Sequence, residues 1–138
     1  MCEDKVRMAA YTDALALVAN GKVLLDVGSG SGVLCFAATD NGALKVYGIE
    51  RADIFKSCKR EIMKRELTAK IKIMNCKVEE APLEGTNIDI LVSEWMGYFL
   101  LFERMLPSVI YARKKFLAPA GIMIPAHARI FIAAIEGD

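Results

Sequence analysis

Histidine is almost missing from this chain. Its 138 residues include a single one, His127. One imidazole cannot build a multi-histidine metal centre or a histidine-based catalytic triad. The four cysteines, Cys2, Cys35, Cys58 and Cys76, include no CxxC pair, so no zinc-type spacing is present and no metal is expected. Their wide separation, in a chain without a secretion signal, reads as reduced thiols of a cytoplasmic or nuclear protein. An excess of one charge is also lacking. The formal net charge is +1, which implies no nucleic-acid or membrane partner. No apolar run approaches the length of a membrane span. The first residues, MCEDKVRMAAYTDALALVANG, lack the basic start, apolar block and cleavage site of a signal peptide.

What is present is apolar and regularly interrupted. Hydrophobic residues make up 54% and charged residues 25%, a globular balance for one core. Residues 4–19 predict a helix with Val6, Ala9, Ala10, Leu15, Leu17 and Val18 on a loose apolar face, stopped at Asn20-Gly21. KVLLDV (22–27) fits a buried parallel strand. GSGSG turns into a helix, VLCFAAT, and LKVYGIE is the second strand. ADIFKSCKREIMKREL is amphipathic, with Ile54, Phe55, Cys58, Ile62 and Leu67 near one face. Strands follow at KIKIMN and IDILVSE, then a helix over 104–117 with Pro107 in its first turn. APAG reads as a turn, and GIMIP and RIFIAAI as two last strands. Alternation of this kind predicts an α/β fold, a mostly parallel sheet wrapped by helices. RIFIAAI is so apolar that it needs a partner surface. It either closes this sheet or opens a further domain, and the second reading is preferred.

LLDVGSGSG carries the first chemistry. Asp26 closes a strand, and Gly28, Gly30 and Gly32 make the turn where open α/β sheets bind ligands. A dinucleotide fingerprint needs Gly or Ala where Val33 stands, and a P-loop needs a lysine that this loop lacks. A pyrophosphate is also poorly served by a loop beside an acid. Glu50 ends the second strand, where an acid can accept from both ribose hydroxyls. Alone it could equally be a solvated strand end, but loop and acid together favour a nucleoside. Glu79 in KVEEAP could accept from an adenine amino group or simply face solvent.

Glu94 and Glu103 lie in SEWMGYFLLFERML, among aromatic and aliphatic neighbours. A carboxylate there needs a cation, a donor or water. On one continuous helix, nine steps of ~100° would set them on opposite faces, so convergence needs a reversal between them. Met96-Gly97-Tyr98 supplies one. A guanidinium, planar and rich in donors, is the cation that best fits two facing carboxylates. The alternative pairs them with Arg104, Arg113 or Lys114, or has them cap the following helix.

On the segments VLLDVGSGSGVLCFAA, VYGIE, KVEE, SEWMGYFLLFERML and FLAPAGIMIP, the chain resembles the cofactor-binding core of protein arginine N-methyltransferases. The likeness is to the asymmetrically dimethylating kind, and it spans about Asp4 to Glu136. It implies a Rossmann-like, doubly wound domain that binds S-adenosyl-L-methionine and yields S-adenosyl-L-homocysteine. Arg7 would then bond the cofactor's carboxylate. Asp26 and Gly28 would border the cofactor, with Gly30 and Gly32 shaping the loop. Glu50 would hold the ribose, and Val78 with Glu79 the adenine. Glu94 and Glu103 would clamp the substrate guanidinium, and Met105 would bias the dimethyl product. Substrates would be arginine-containing proteins, such as Gly/Arg-rich segments or histone tails.

The resemblance also implies a domain over 1–125, with 126–138 beginning a C-terminal β-barrel. The family's N-terminal lid, Thr-His-Trp loop and dimerisation arm are not in this sequence, and a full-length parent would be a homodimer. His127 is no substitute for the family's histidine. Two rivals remain: a methyltransferase for small molecules, and a catalytically silent partner subunit that docks through RIFIAAI.

Overall fold

A computed structural model describes residues 4–136 of the chain. Cys2 and the last two residues of the expected barrel start lie outside that range. The elements alternate: helix α1 (Lys5–Val18), strand β1 (Val23–Val27), α2 (Val33–Asp40), β2 (Lys45–Ile49), α3 (Phe55–Lys64) and β3 (Ile71–Met74). A single 3-10 turn (Val78–Glu80), β4 (Ile88–Val92), α4 (Leu106–Phe116) and β5 (Leu117–Ile124) complete the series.

The five strands form one sheet in the order β3-β2-β1-β4-β5, with every pairing parallel. The chain moves outward from β1 through β2 to β3, then returns to the other side of β1 for β4. That reversal puts the topological switch point between β1 and β4, where such sheets bind ligands at their carboxyl edge.

Strand residues alternate between two cores because successive Cβ atoms leave opposite faces of a pleated strand. Leu24, Val46, Ile90 and Val92 pack with residues of α1, α2 and α3. Leu25, Val27 and Leu91 face the other way, against Val109, Ala112 and Phe116 of α4, and Ile88 joins them because the β4–β5 register is irregular between Ile88 and Ile90. The near-continuous apolar runs of β1 and β4 are thus explained by burial on both sides.

Four local expectations are corrected. In α1 the buried side chains are Tyr11 and Leu15, while Val6 and Leu17 are exposed. The helix touches the sheet along a narrower stripe than its apolar content predicts. In α3, Cys58 and Ile62 are buried but Ile54 precedes the helix and is exposed. APAG is no turn. It lies within β5, where Pro119 is tolerated because β5 is an edge strand. RIFIAAI forms no strand, and Phe131, Ile132 and Ile135 are exposed at 84%, 89% and 90%. Neither sheet edge pairs with it, so its backbone has no ladder to join.

Candidate functional site

The glycine loop leaves β1 with Gly28, Gly30 and Gly32 all at positive φ, 77°, 53° and 85°. An L side chain in that region is costly. Ile49 O accepts from both Gly28 N (2.9 Å) and Ser29 N (3.0 Å), which ties the loop to the end of β2. At Gly28 there is a second reason for glycine: a Cβ would lie 2.5 Å from Met105 Cε. At Gly32 a Cβ would collide with Cys58 Sγ, so this glycine lets α2 and α3 meet.

Beneath the loop, Asp26 is 1% exposed. Cys35 Sγ donates to its Oδ2 at 3.3 Å, and among the described residues its Oδ1 has no protein partner, nor does Ser29 Oγ. Burial, opposed by the Cys35 hydrogen bond and helped by the nearby Glu50 charge, pushes the Asp26 carboxyl up to about 7. Asp26 therefore sits under the loop, not on the wall of the cavity above it. Burial also raises the thiols of Cys35 and Cys58.

Glu50 stands where β2 ends, and its carboxylate is held at both oxygens. Oε2 accepts from Gly30 N (2.9 Å) and Oε1 from Ala52 N (2.7 Å). Each oxygen keeps a free lone pair for a further donor. Across the cavity, Val78 is buried in the 3-10 turn. Ser108 Oγ on α4 donates to Glu79 Oε1 at 3.2 Å.

After β4 the chain is anchored before it reaches the first of the two glutamates. Ser93 Oγ donates to Val27 O (2.6 Å), and the Tyr11 hydroxyl to Ser93 O (3.0 Å). Burial, with the Glu94 and Asp26 charges nearby, holds that phenol protonated well above its usual range. Arg7 Nη1 donates to Glu94 Oε1 at 2.9 Å, and the Glu94 side chain is only 13% exposed. Arg7 Nε lies 3.2 Å from Asp4 Oδ2. The reversal expected at 96–98 is centred slightly later. Gly97 and Leu100 form an antiparallel bridge, with Phe99 and Leu100 at φ 48° and 63°. The loop then folds back on Glu103 so closely that a Cβ on Gly97 would lie 2.6 Å from Glu103 Cγ.

These parts enclose an open cavity of about 720 Å³ at the carboxyl edge of the sheet. Of the residues singled out from sequence, Gly28, Glu50, Val78, Glu79, Glu94, Glu103 and Met105 line it. Gly30 acts from behind the wall through Glu50, and Asp26 is buried off the wall, bonded to Cys35. Arg7 reaches the site through Glu94. The alternative pairing of the glutamates with Arg104, Arg113 or Lys114 is not what the described residues show for Glu94, whose cation is Arg7.

Several members escaped sequence reading. Tyr11 stands four residues after Arg7, on the same face of α1, and that spacing was the available signal. Ser93, Asn75 and Ser108 gave none, because each acts on a residue distant in sequence. The cavity wall also includes Arg51, Cys76 and Lys77.

A parallel sheet in this order, with a glycine loop and a strand-end acid at its switch point, is the architecture of a nucleoside-binding methyltransferase. Comparison agrees: a family profile described as "Methyltransferase domain" matches residues 19–136, and the chain belongs to that family. Its relatives there are protein arginine N-methyltransferases. It is 40% identical to Protein arginine N-methyltransferase 1 of Dictyostelium discoideum, over 99% of this chain and 41% of that protein. With Protein arginine N-methyltransferase 8-B of Danio rerio the identity is 42%, over 99% of this chain and 33% of the relative.

Among solved structures, Arabidopsis thaliana protein arginine methyltransferase 10 superposes with a TM-score of 0.85 at 38% identity. The match covers 90% of this chain and 36% of that one. A Trypanosoma brucei PRMT1 enzyme-prozyme heterotetrameric complex with AdoHcy gives 0.84 at 38%, covering 89% and 39%. The chain thus spans about two fifths or less of the length of these relatives.

Proposed function

We propose that this chain is the cofactor-binding core of a protein arginine N-methyltransferase, working with S-adenosyl-L-methionine. The observation that carries the reading is that Glu94 and Glu103 line the same cavity as Glu50 and Glu79. That cavity offers both acceptors for a nucleoside and two carboxylates for a cation.

The residues fit the cofactor on chemical grounds. Glu50 has free lone pairs for two ribose hydroxyls, and Glu79 an acceptor for an exocyclic amine. Arg7 uses Nη1 on Glu94 and Nε on Asp4, which leaves Nη2 for a carboxylate. When bound, S-adenosylmethionine supplies an electrophilic methyl group on a sulfonium.

The two glutamates do the rest. Held from two sides, a guanidinium cannot rotate, and its attacking nitrogen is fixed towards the nucleoside. The carboxylates draw positive charge away from that nitrogen and so raise its nucleophilicity. Methyl transfer would exchange one S–C bond of the bound cofactor for one N–C bond, and Glu94 or Glu103 would take the proton the nitrogen loses. Met105, packed on Gly28, limits the space around the second nitrogen and biases the product towards asymmetric dimethylarginine.

Substrates are arginine-bearing proteins, with Gly/Arg-rich segments and histone tails as candidates, in the cytoplasm or nucleus. A longer parent would act as a homodimer. A second reading, a silent partner subunit, draws on the exposed Phe131, Ile132 and Ile135. The presence of both glutamates weighs against it.

Titrating the chain with S-adenosylhomocysteine, with NAD as the control, tests the cofactor. Binding of the first alone is expected, and equal or absent binding overturns the reading. Incubation with labelled S-adenosylmethionine and an arginine-rich peptide tests the reaction. Methylation of lysine or of small molecules in place of arginine would overturn the substrate class.

A further inference from the structure

We infer that Asn75 is a positioning residue for nucleoside recognition, acting through Glu50. This rests on the reading above and names a part of the site that neither motif nor cavity lining reveals.

Asn75 follows β3 by one residue, at the carboxyl edge of the sheet. It is exposed and contributes nothing to either core. Its Nδ2 donates to Glu50 O at 2.8 Å and to Arg51 O at 3.0 Å. An amide nitrogen has two hydrogens, and both are used here. Two carbonyl acceptors also fix which end of the amide faces them.

The consequence falls on the Glu50 side chain. Its Oε1 accepts from Ala52 N, so the carboxylate is fastened to the segment whose carbonyls Asn75 holds. Its Oε2 accepts from Gly30 N in the glycine loop. Glu50 N in turn donates to Met74 O at 3.0 Å, the residue just before Asn75. Three chain segments therefore converge on one residue: the loop after β1 and the turn after β2 on the Glu50 carboxylate, and the end of β3 on its backbone. Asn75 is the side chain that locks the middle segment to the third. Without it, the carbonyls of Glu50 and Arg51 turn to water and the turn can swing, carrying Oε1 away from where a ribose hydroxyl would sit. A loss of even ~1 Å in such a constellation is costly.

The test separates positioning from plain structural support. The intact chain and Asn75→Leu, close in size but without donors, are titrated with S-adenosylhomocysteine. Both are also titrated with its analogue lacking the two ribose hydroxyls. A site built around those hydroxyls rejects an analogue without them. The expected result is that the intact chain's preference for the hydroxylated ligand falls about tenfold in the variant, one hydrogen-bond's worth. Affinity for the analogue should change by less than about twofold.

An unchanged preference, or an equal loss for both ligands, overturns the inference. If the intact chain binds neither ligand, the nucleoside reading fails first and this inference with it. Circular dichroism checks folding. Should Asn75→Leu unfold, Asn75→Ser replaces it with the same readout, and unfolding of both would make Asn75 structural.

Discussion

Arg7 and Glu94 are joined by a 2.9 Å charge-assisted hydrogen bond across 87 residues of sequence. The helix that opens the described chain is thereby fastened to the loop after β4, and the guanidinium of Arg7 rests on one of the two carboxylates proposed to clamp a substrate guanidinium. Arg7→Ala should cost less than ~1 kcal/mol of stability, because the pair is partly exposed and screened. The same change should weaken S-adenosylhomocysteine binding by about tenfold, the worth of a charge-assisted hydrogen bond. Urea unfolding and calorimetric titration of one variant measure both, and a large stability loss with unchanged binding would reverse the assignment.

Glu94→Gln and Glu103→Gln keep shape and remove charge. Arginine methylation should fall by about 100-fold or more in each, as expected when charge aimed at a reacting group is lost. S-adenosylhomocysteine affinity should stay within about threefold, since less than ~1 kcal/mol of binding is at stake. If cofactor-product binding collapses in both variants, the glutamates hold the fold and not the substrate.

Gly28→Ala and Gly85→Ala form an internal comparison. Both glycines have positive φ, 77° and 74°. A Cβ at position 85 meets none of the described residues within 4 Å, whereas at position 28 it meets Met105. Gly85→Ala should therefore cost only the backbone strain of roughly 1–2 kcal/mol. Gly28→Ala should cost more in urea unfolding, and it alone should impair S-adenosylhomocysteine binding.

Asp26 makes stability depend on pH. Burial raises its carboxyl from 3.8 to about 7, so between those values the folded state holds a proton that the unfolded chain releases. Stability from this group is full below the unfolded value and is lost as pH rises through the folded one. The melting temperature should therefore fall as pH rises from about 4 to about 7, relative to Asp26→Asn, whose neutral amide does not titrate. Identical pH profiles for the two proteins would show that Asp26 is ionised throughout.

Much of the fold was legible because its signals are local. VLLDV and IDILV are apolar apart from one aspartate each because both faces of those strands are covered, and GSGSG marks the turn between strand and helix. The order of helices and strands up to β5 followed from periodicity and from glycine and proline boundaries. Errors arose where a segment's neighbours decide its fate. APAG carries turn residues yet lies in an edge strand, and RIFIAAI carries strand residues yet has no ladder to join. Leu17 and Val6 are apolar on a helix whose buried stripe passes elsewhere.

The residues of the cavity divide the same way. Glycine spacing, a strand-end acid and two glutamates flanking a glycine are patterns within a few residues of chain, and sequence alone determined them. Their meeting is another matter. That Glu94 takes Arg7, that Glu50 is fastened by Gly30 and Ala52 with Asn75 behind it, and that burial raises the Asp26 carboxyl were decided only by tertiary structure. Each depends on bringing groups far apart in sequence within hydrogen-bond reach, or on how much water the surrounding elements exclude. Neither quantity is a property of any short stretch of residues.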